Sequence, residues 1–178
     1  MAAEEAPVGH GYEGLPGDTM TSSVTIDIVK ERMKEFWPAE QVRVNRILVK
    51  TMPDKIHDAI GAAQTLLGYN RLITISTMDN SETFELLYNL IAPHRIIITL
   101  AISLPRSQPT TPTVSDILPP AGIYERQIHD LSGITFAGST GLKKNILNEN
   151  WSGDEQPLHK EWKHGPYTFY GGINRERS

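Results

Sequence analysis

"TFELLYNLIAPHRIIITLAISL", residues 83–104, holds two runs in which apolar side chains recur at every second position. Phe84, Leu86, Tyr88 and Leu90 share one face of the first run; Ile96, Ile98, Leu100 and Ile102 share one face of the second. Between them "APH" supplies a turn, and Pro93 is tolerated there because a turn residue needs no N–H for a ladder bond. The pattern predicts an antiparallel hairpin with one strongly apolar face. Such a face must be covered by other elements, since an isolated hairpin is marginal in water.

Upstream residues supply the cover. Ile26, Val29, Met33, Phe36 and Trp37 fall on one helical stripe, Asp27 suits the first turn and Pro38 stops it, so a helix is expected over 26–37. "VRVNRILVKTM" (42–52) reads as a strand whose apolar phase switches at Asn45, from Val42 and Val44 to Ile47 and Val49, which predicts a bulge. A second helix follows, with Asp54 as expected N-cap, Ile56, Ala59, Ile60, Ala63, Leu66 and Leu67 on one face, and Gly68 closing it. "RLITIST" (71–77) is a strand. The order helix, strand, helix, three strands predicts an α+β fold: a two-layer domain over 23–104, with helices packed on a mixed sheet that contains the hairpin.

The flanks differ in texture. Residues 1–22 are rich in Gly and Pro and carry Glu4, Glu5, Glu13 and Asp18 with no Lys or Arg, so a flexible acidic arm is expected. Five prolines between Pro105 and Pro120 predict an extended, stiff linker over 105–120. A signature helix and turn should occupy 121–138, the helix running from Ala121 to about Leu131 and ended by Gly133, with Tyr124, Ile128 and Leu131 buried. Residues 139–178 carry Trp151, Trp162, Tyr167, Phe169 and Tyr170 without periodicity. Such an extended aromatic tail cannot bury those rings alone and is expected to dock on its own domain or on a partner.

The chain has 178 residues, 17 basic against 21 acidic and no cysteine. Its charge excess lies in the N-terminal arm, and no basic stripe of the kind that holds nucleic acid is visible. Thiolate zinc sites and cysteine-ligated clusters are excluded for this chain. The longest apolar run, Ile96–Leu104, is too short to span a bilayer.

Chemistry-bearing residues concentrate in "GIYERQIHDLSGITFAG" (122–138), where Glu125 and His129, and Arg126 and Asp130, stand four apart. Glu125, His129 and Asp130 are candidate metal ligands for a metal-dependent hydrolase, although no other segment completes a ligand set. The alternative is a pair of helix-surface contacts at i, i+4 spacing. "AGSTG" (137–141) lacks the lysine and the strand–loop–helix context of a phosphate loop. No Gly-x-Ser-x-Gly elbow is present.

"TVSDILPPAGIYERQ" (113–127), "HDLSGITFAGSTGLKKNIL" (129–147) and "NENWSGDEQPLHKEW" (148–162) together resemble the 30 kDa subunit family of respiratory complex I, the NuoC-like proteins. The resemblance rests on Asp116, Pro119, Tyr124, Glu125, Arg126, Asp130, Gly133, Ile134, Phe136, Gly138, Leu142, Lys143, Lys144, Leu147, Trp151, Gly153, Pro157, Leu158 and Lys160. Gln127, Ser132, Ile123 and the triplet Ser139-Thr140-Gly141 depart from the usual pattern. They fit the wider superfamily, which includes coenzyme F420-dependent dehydrogenases and energy-converting nickel–iron hydrogenases. The resemblance implies a non-catalytic peripheral-arm subunit that binds no cofactor, with iron–sulfur clusters on its partners. It would pack against the large quinone-site (49 kDa-type) subunit and the small cluster-bearing subunit, on the cytoplasmic face of the membrane. The expected docking surface is the 121–133 helix, with Arg126 and Asp130 pinning its corner, together with the tail from Leu142 through Trp162 to Tyr170.

Overall fold

The computed structural model describes residues 24–141, 144–148, 151 and 155–163; the expected acidic arm, and Leu142, Lys143 and the end of the tail, lie outside them. Ten elements follow in order: α1 (Ile26–Lys34), β1 (Ala39–Arg43), β2 (Arg46–Lys50), α2 (Ile56–Leu67), β3 (Arg71–Asp79), β4 (Thr83–Ile91), β5 (Ile97–Pro105), β6 (Thr110–Pro112), α3 (Ala121–Ser132) and β7 (Thr135–Ala137). The main sheet has the order β1-β2-β5-β4-β3, a mixed sheet in which only β2 and β5 run parallel. With β3 antiparallel to β4, the β2–α2–β3 unit is a crossover into which the β4–β5 hairpin is inserted. β6 and β7 form a small parallel ribbon.

The hairpin forms as its alternation predicts. Phe84 faces Leu104, Leu86 faces Ile102, Tyr88 faces Leu100 and Leu90 faces Ile98, and all eight side chains are buried. Ile47 and Val49 of β2 and Ile75 of β3 extend this face. Val29 and Met33 of α1, and Ile56, Ala59, Ile60 and Ala63 of α2, close over it. Gly68 caps α2 in the left-handed region (φ +72°) and returns its N–H to Gln64 O.

Four local expectations need correction. The stretch 42–52 is not one bulged strand: the chain reverses at Val44–Asn45 to make the β1–β2 hairpin, with Arg43 opposite Arg46. Reversal and bulge both shift the apolar alternation by one residue, so the pattern could not separate them. A register irregularity does occur, between Gln41 and Arg43, and Val44 is 90% exposed at the tip. The first helix ends at Lys34 instead of Trp37, because the N–H groups of Phe36 and Trp37 both turn back to Met33 O, leaving Phe36 exposed. Asp54 lies inside a 3₁₀ turn (Pro53–Lys55) ahead of α2 and makes no capping bond, and Leu66 is exposed at the far end of the helix. The segment 105–120 is more than a linker. It contributes β6, buries Val114 and Leu118, and is tied to α2 by His57 and Asp116 at 2.8 Å and by Gln64 Nε2 donating to Ile117 O.

All three helices lie on one face of the sheet. Leu100→Ala should therefore destabilise the chain by about 2–5 kcal/mol through the cavity it leaves. Met78→Ala, on the opposite face, should change stability by less than about 1 kcal/mol. Urea unfolding of the two variants measures both, and equal losses would contradict the one-sided core.

Candidate functional site: the corner between α3 and the C-terminal residues

Pro119 and Pro120 lead into α3 and preset its backbone angle, and Gly133 ends it at φ +71° with its N–H on His129 O. The Gly133 conformation is matched by close approach, since an added Cβ would sit 3.3 Å from the Gln156 side chain. Along α3 the buried residues are Ala121, Glu125, Ile128 and Ser132. Tyr124, expected in the core, is half-buried; its hydroxyl donates to Ile73 O at the irregularity of β3. Leu131 is likewise half-buried.

Glu125 is the main departure from expectation. Instead of pairing with His129 on the surface it is 0% exposed, accepting bonds from the Thr113 hydroxyl (2.6 Å) and the Val114 N–H (2.8 Å). Burial outweighs those two bonds and pushes its carboxyl above the ordinary range. His129 contacts Ile134 O through Nδ1 at 2.9 Å, across the Gly133 turn. Asp130 makes no ion pair with Arg126. One of its carboxylate oxygens gathers three consecutive backbone N–H groups, those of Asn145, Ile146 and Leu147, at 3.0, 2.8 and 2.8 Å. These bonds, joined by the nearby Lys144 charge, overcome desolvation and hold Asp130 below its usual value. Arg126 keeps its Nε buried without a hydrogen-bond partner among the described residues. The i, i+4 spacing was misleading because it reports shared helix surface without saying which side faces the core.

The tail is strapped to this corner. Leu158 N–H donates to Leu131 O (3.1 Å) and His159 Nε2 meets Ser132 O (3.0 Å), covering the carbonyl end of α3. The His159 ring lies against Phe84 at 5.3 Å. Further along, Asp79 accepts Arg106 Nη1 at 2.7 Å on both oxygens and the Lys160 N–H at 3.0 Å, while Arg106 also pairs with Glu161 and stacks over Phe84. Burial raises the Asp79 carboxyl, but the Lys160 and Ser81 N–H groups and the Arg106 guanidinium together lower it to about 2. Trp151 and Trp162 pack at 6.0 Å between ring centres, with Trp151 Nε1 on Glu155 O and Lys144 Nζ on Trp151 O.

Asp130, Gly133, Lys144, Trp151, Leu158 (with Pro157 before it) and Trp162 are linked by these contacts around the C-terminal end of α3. Tyr124, Glu125 and Arg126 lie nearer its start, Lys160 meets Asp79 at the end of β3, and Phe136 is buried in β7. Asp79, Arg106 and Glu161 were not legible as a unit: they stand 27 and 55 residues apart. Glu125, His129 and Asp130 are committed to three different partners. No group of three or more His, Asp or Glu that could hold a metal occurs among the described residues. Around the corner Ile123 (57%), Ile146 (55%) and Leu158 (50%) stay exposed.

A one-layer helical cover, a mixed sheet and, among the described residues, a C-terminal stretch bound back onto the end of α3 define an α+β chain. Residues 49–168 match the family described as the respiratory-chain NADH dehydrogenase, 30 Kd subunit, and the chain belongs to that family. It is 32% identical over 88 residues to the C subunit of the NADH-quinone oxidoreductase of Herpetosiphon aurantiacus, covering 49% of this chain and 52% of that one. With the corresponding protein of Novosphingobium aromaticivorans it shares 27% over 151 residues, covering 82% and 46%. The chain spans about half the length of these curated relatives. In fold it is similar to a chain of the membrane-bound sulfane sulfur reductase, an archaeal respiratory membrane complex (TM-score 0.69, 24% identity, 77% of this chain and 84% of that one). It is also similar to a trypsin-resistant fragment of Nqo5 (TM-score 0.57, 23% identity, 65% and 97%). No helix among the described residues is long and apolar enough to cross a membrane.

Asp79 and Asp130 have depressed values in the folded chain, so their contribution is complete above the unfolded carboxylate range near pH 4. It is lost as pH falls through their folded values, about 2 for Asp79. Glu125, being raised, has the opposite sign: it favours folding below its unfolded value, and that advantage disappears as pH rises through its folded one. In a Trp37→Phe background the Trp151–Trp162 emission should shift to the red between about pH 4 and pH 2. Asp79→Asn should move that transition upward. Glu125→Ala should cost about 1–3 kcal/mol for the orphaned Val114 N–H, and Glu125→Gln less.

Proposed function

We propose that this chain is a non-catalytic peripheral-arm subunit of a membrane-bound, complex I-type oxidoreductase, holding the large quinone-site (49 kDa-type) subunit and the small cluster-bearing subunit in register. Its own residues supply no electron carrier in this reading. The clusters and the quinone site belong to the partners, and electron transfer coupled to ion translocation belongs to the whole complex, peripheral to the membrane on its cytoplasmic face. The observation that carries this is the span of the family match, 49–168, which covers both the corner and the strapped tail. Support comes from the corner itself, where a rigid hydrogen-bonded frame presents Ile123, Ile146 and Leu158 to solvent. Exposed aliphatic groups on a preorganised frame suit a protein interface, because little conformational freedom remains to be lost on binding.

Two branches of the superfamily accommodate this role. A dehydrogenase of the NADH:quinone or coenzyme F420-dependent type is the first. An energy-converting hydrogenase is the second; Gln127, Ser132 and Ser139-Thr140-Gly141 suit the wider superfamily that holds both it and the F420-dependent dehydrogenases. The role of this chain is the same in both. A metal-dependent hydrolase using Glu125, His129 and Asp130 would require these side chains to abandon their present partners.

The double substitution Ile123→Asp with Leu158→Asp tests the docking corner. Both positions are exposed, so the thermal midpoint of the isolated chain should stay close to the parent value, within an effect of about 0.5 kcal/mol per site. Recovery of cluster-bearing subunits with the chain from detergent extracts should fall by roughly tenfold or more, the loss expected of interface anchors. Undiminished recovery would sink the assignment, and a stoichiometric metal in the purified parent chain would favour the hydrolase.

A further inference from the structure

The face of the sheet turned away from the helices combines aliphatic side chains with arginines. Strand register places Arg43, Arg46, Ile97, Ile91 and Arg71 in one row across all five strands. The next rows bring Leu48, Leu87 and Met78 to the same side, with Lys50 beside Ala101. Glu40 stands opposite Leu48 and Glu85 opposite Met78, both outside the arginine row. Leu48, Leu87, Ile91 and Ile97 are only half-buried and stand outside the core cluster, and Met78 is exposed. Among the described residues Arg43, Arg46, Arg71 and Lys50 have no ion pair; on the helical side Arg32, Lys34 and Lys55 are each paired with a neighbouring acid and Lys30 is not. Toward β1 the face continues into a cleft lined by Glu35, Phe36, Trp37, Glu40, Leu48 and Lys50.

An aliphatic face edged with unpaired arginines calls for an occupant with carboxylates and some apolar groups. One such segment stands at the start of the chain. Residues 1–22 carry Glu4, Glu5, Glu13 and Asp18 with no Lys or Arg, and Val8, Tyr12 and Leu15 between them; the rest of the chain is charge-balanced. The arm joins the described structure just before α1, which packs on β1 and β2, the edge where Arg43 and Arg46 lie. Reach is not limiting. Twenty-two extended residues span up to about 70 Å, whereas five strands about 4.8 Å apart make a sheet only roughly 20 Å wide. Covalent attachment sets an effective concentration on the order of millimolar, enough to fill a site too weak for a free peptide. We infer that the acidic N-terminal arm docks across the open sheet face of its own chain, its carboxylates on the Arg43–Arg46–Arg71 row. Arginine suits this role because its planar fork grips a carboxylate on two oxygens.

The absence of native cysteine makes the test direct. Gly14→Cys in the arm is combined with Ser76→Cys on the open face or, separately, with Thr65→Cys on the outer side of α2, in the full-length chain. At low salt the Ser76 pair should form an intramolecular disulfide about tenfold faster than the Thr65 pair, and roughly 0.5 M salt should erase the difference by screening. Neutralising Arg43, Arg46 and Arg71 to Gln should do the same. Neutralising Glu4, Glu5, Glu13 and Asp18 to Gln or Asn is the parallel variant that leaves the folded body untouched. Equal rates at the two positions, or a Ser76 preference that survives arm neutralisation, would overturn the inference. Predominant linkage between two molecules would assign the face to a second copy instead.

Discussion

The pairing of β4 with β5 is the constraint on which the other elements depend. Its register sets Phe84, Leu86, Tyr88 and Leu90 against Leu104, Ile102, Leu100 and Ile98 on one side, and a slip of one residue would turn that whole set to solvent. Once the face exists, α1 and α2 must lie on it, and β2 and β3 must flank the hairpin to satisfy its outer hydrogen-bonding edges. The parallel β2–β5 contact is a consequence: β2 reaches β5 only because α2 carries the chain over the apolar face to β3. The same register arranges the opposite face, where three arginines and two isoleucines share a single row.

The corner at α3 is held by carboxylates, each working in a different way. Glu125 is desolvated and latches the helix to the Thr113 hydroxyl and the Val114 N–H. Asp130 stays charged by collecting three backbone N–H groups and so fixes the 145–147 loop. Asp79 is paired with Arg106 and fixes Lys160 and, through the same guanidinium, Glu161. Each of the three carboxylates is satisfied by partners within the chain.

The hairpin, α2 with its Gly68 cap, and α3 with its Gly133 end were legible because apolar periodicity and glycine caps are local signals. The family was legible because its signature stretch runs nearly unbroken through residues 113–160, and the match over 49–168 places the chain in it. The β1–β2 reversal was not, since a turn at Val44–Asn45 and a bulge leave the same mark on alternation. The direction of Glu125 was also hidden, because a glutamate four residues from a histidine reads as a surface pair whichever side it takes.

The sequence by itself determined which sheet face had to be buried, where the glycine-ended helices α2 and α3 had to stop and which family the chain joins. Those properties are written in side-chain spacing and in residues with special backbone freedom. Only the tertiary structure decided that Glu125 enters the core, that Asp130 serves the 145–147 backbone instead of Arg126, and that Asp79, Arg106 and Lys160 meet. These contacts join residues between 11 and 81 positions apart, and no local periodicity records a partner that distant. They exist because the packed sheet and helix bring polar groups into low-dielectric surroundings, where each must find a hydrogen-bond partner or the fold loses stability.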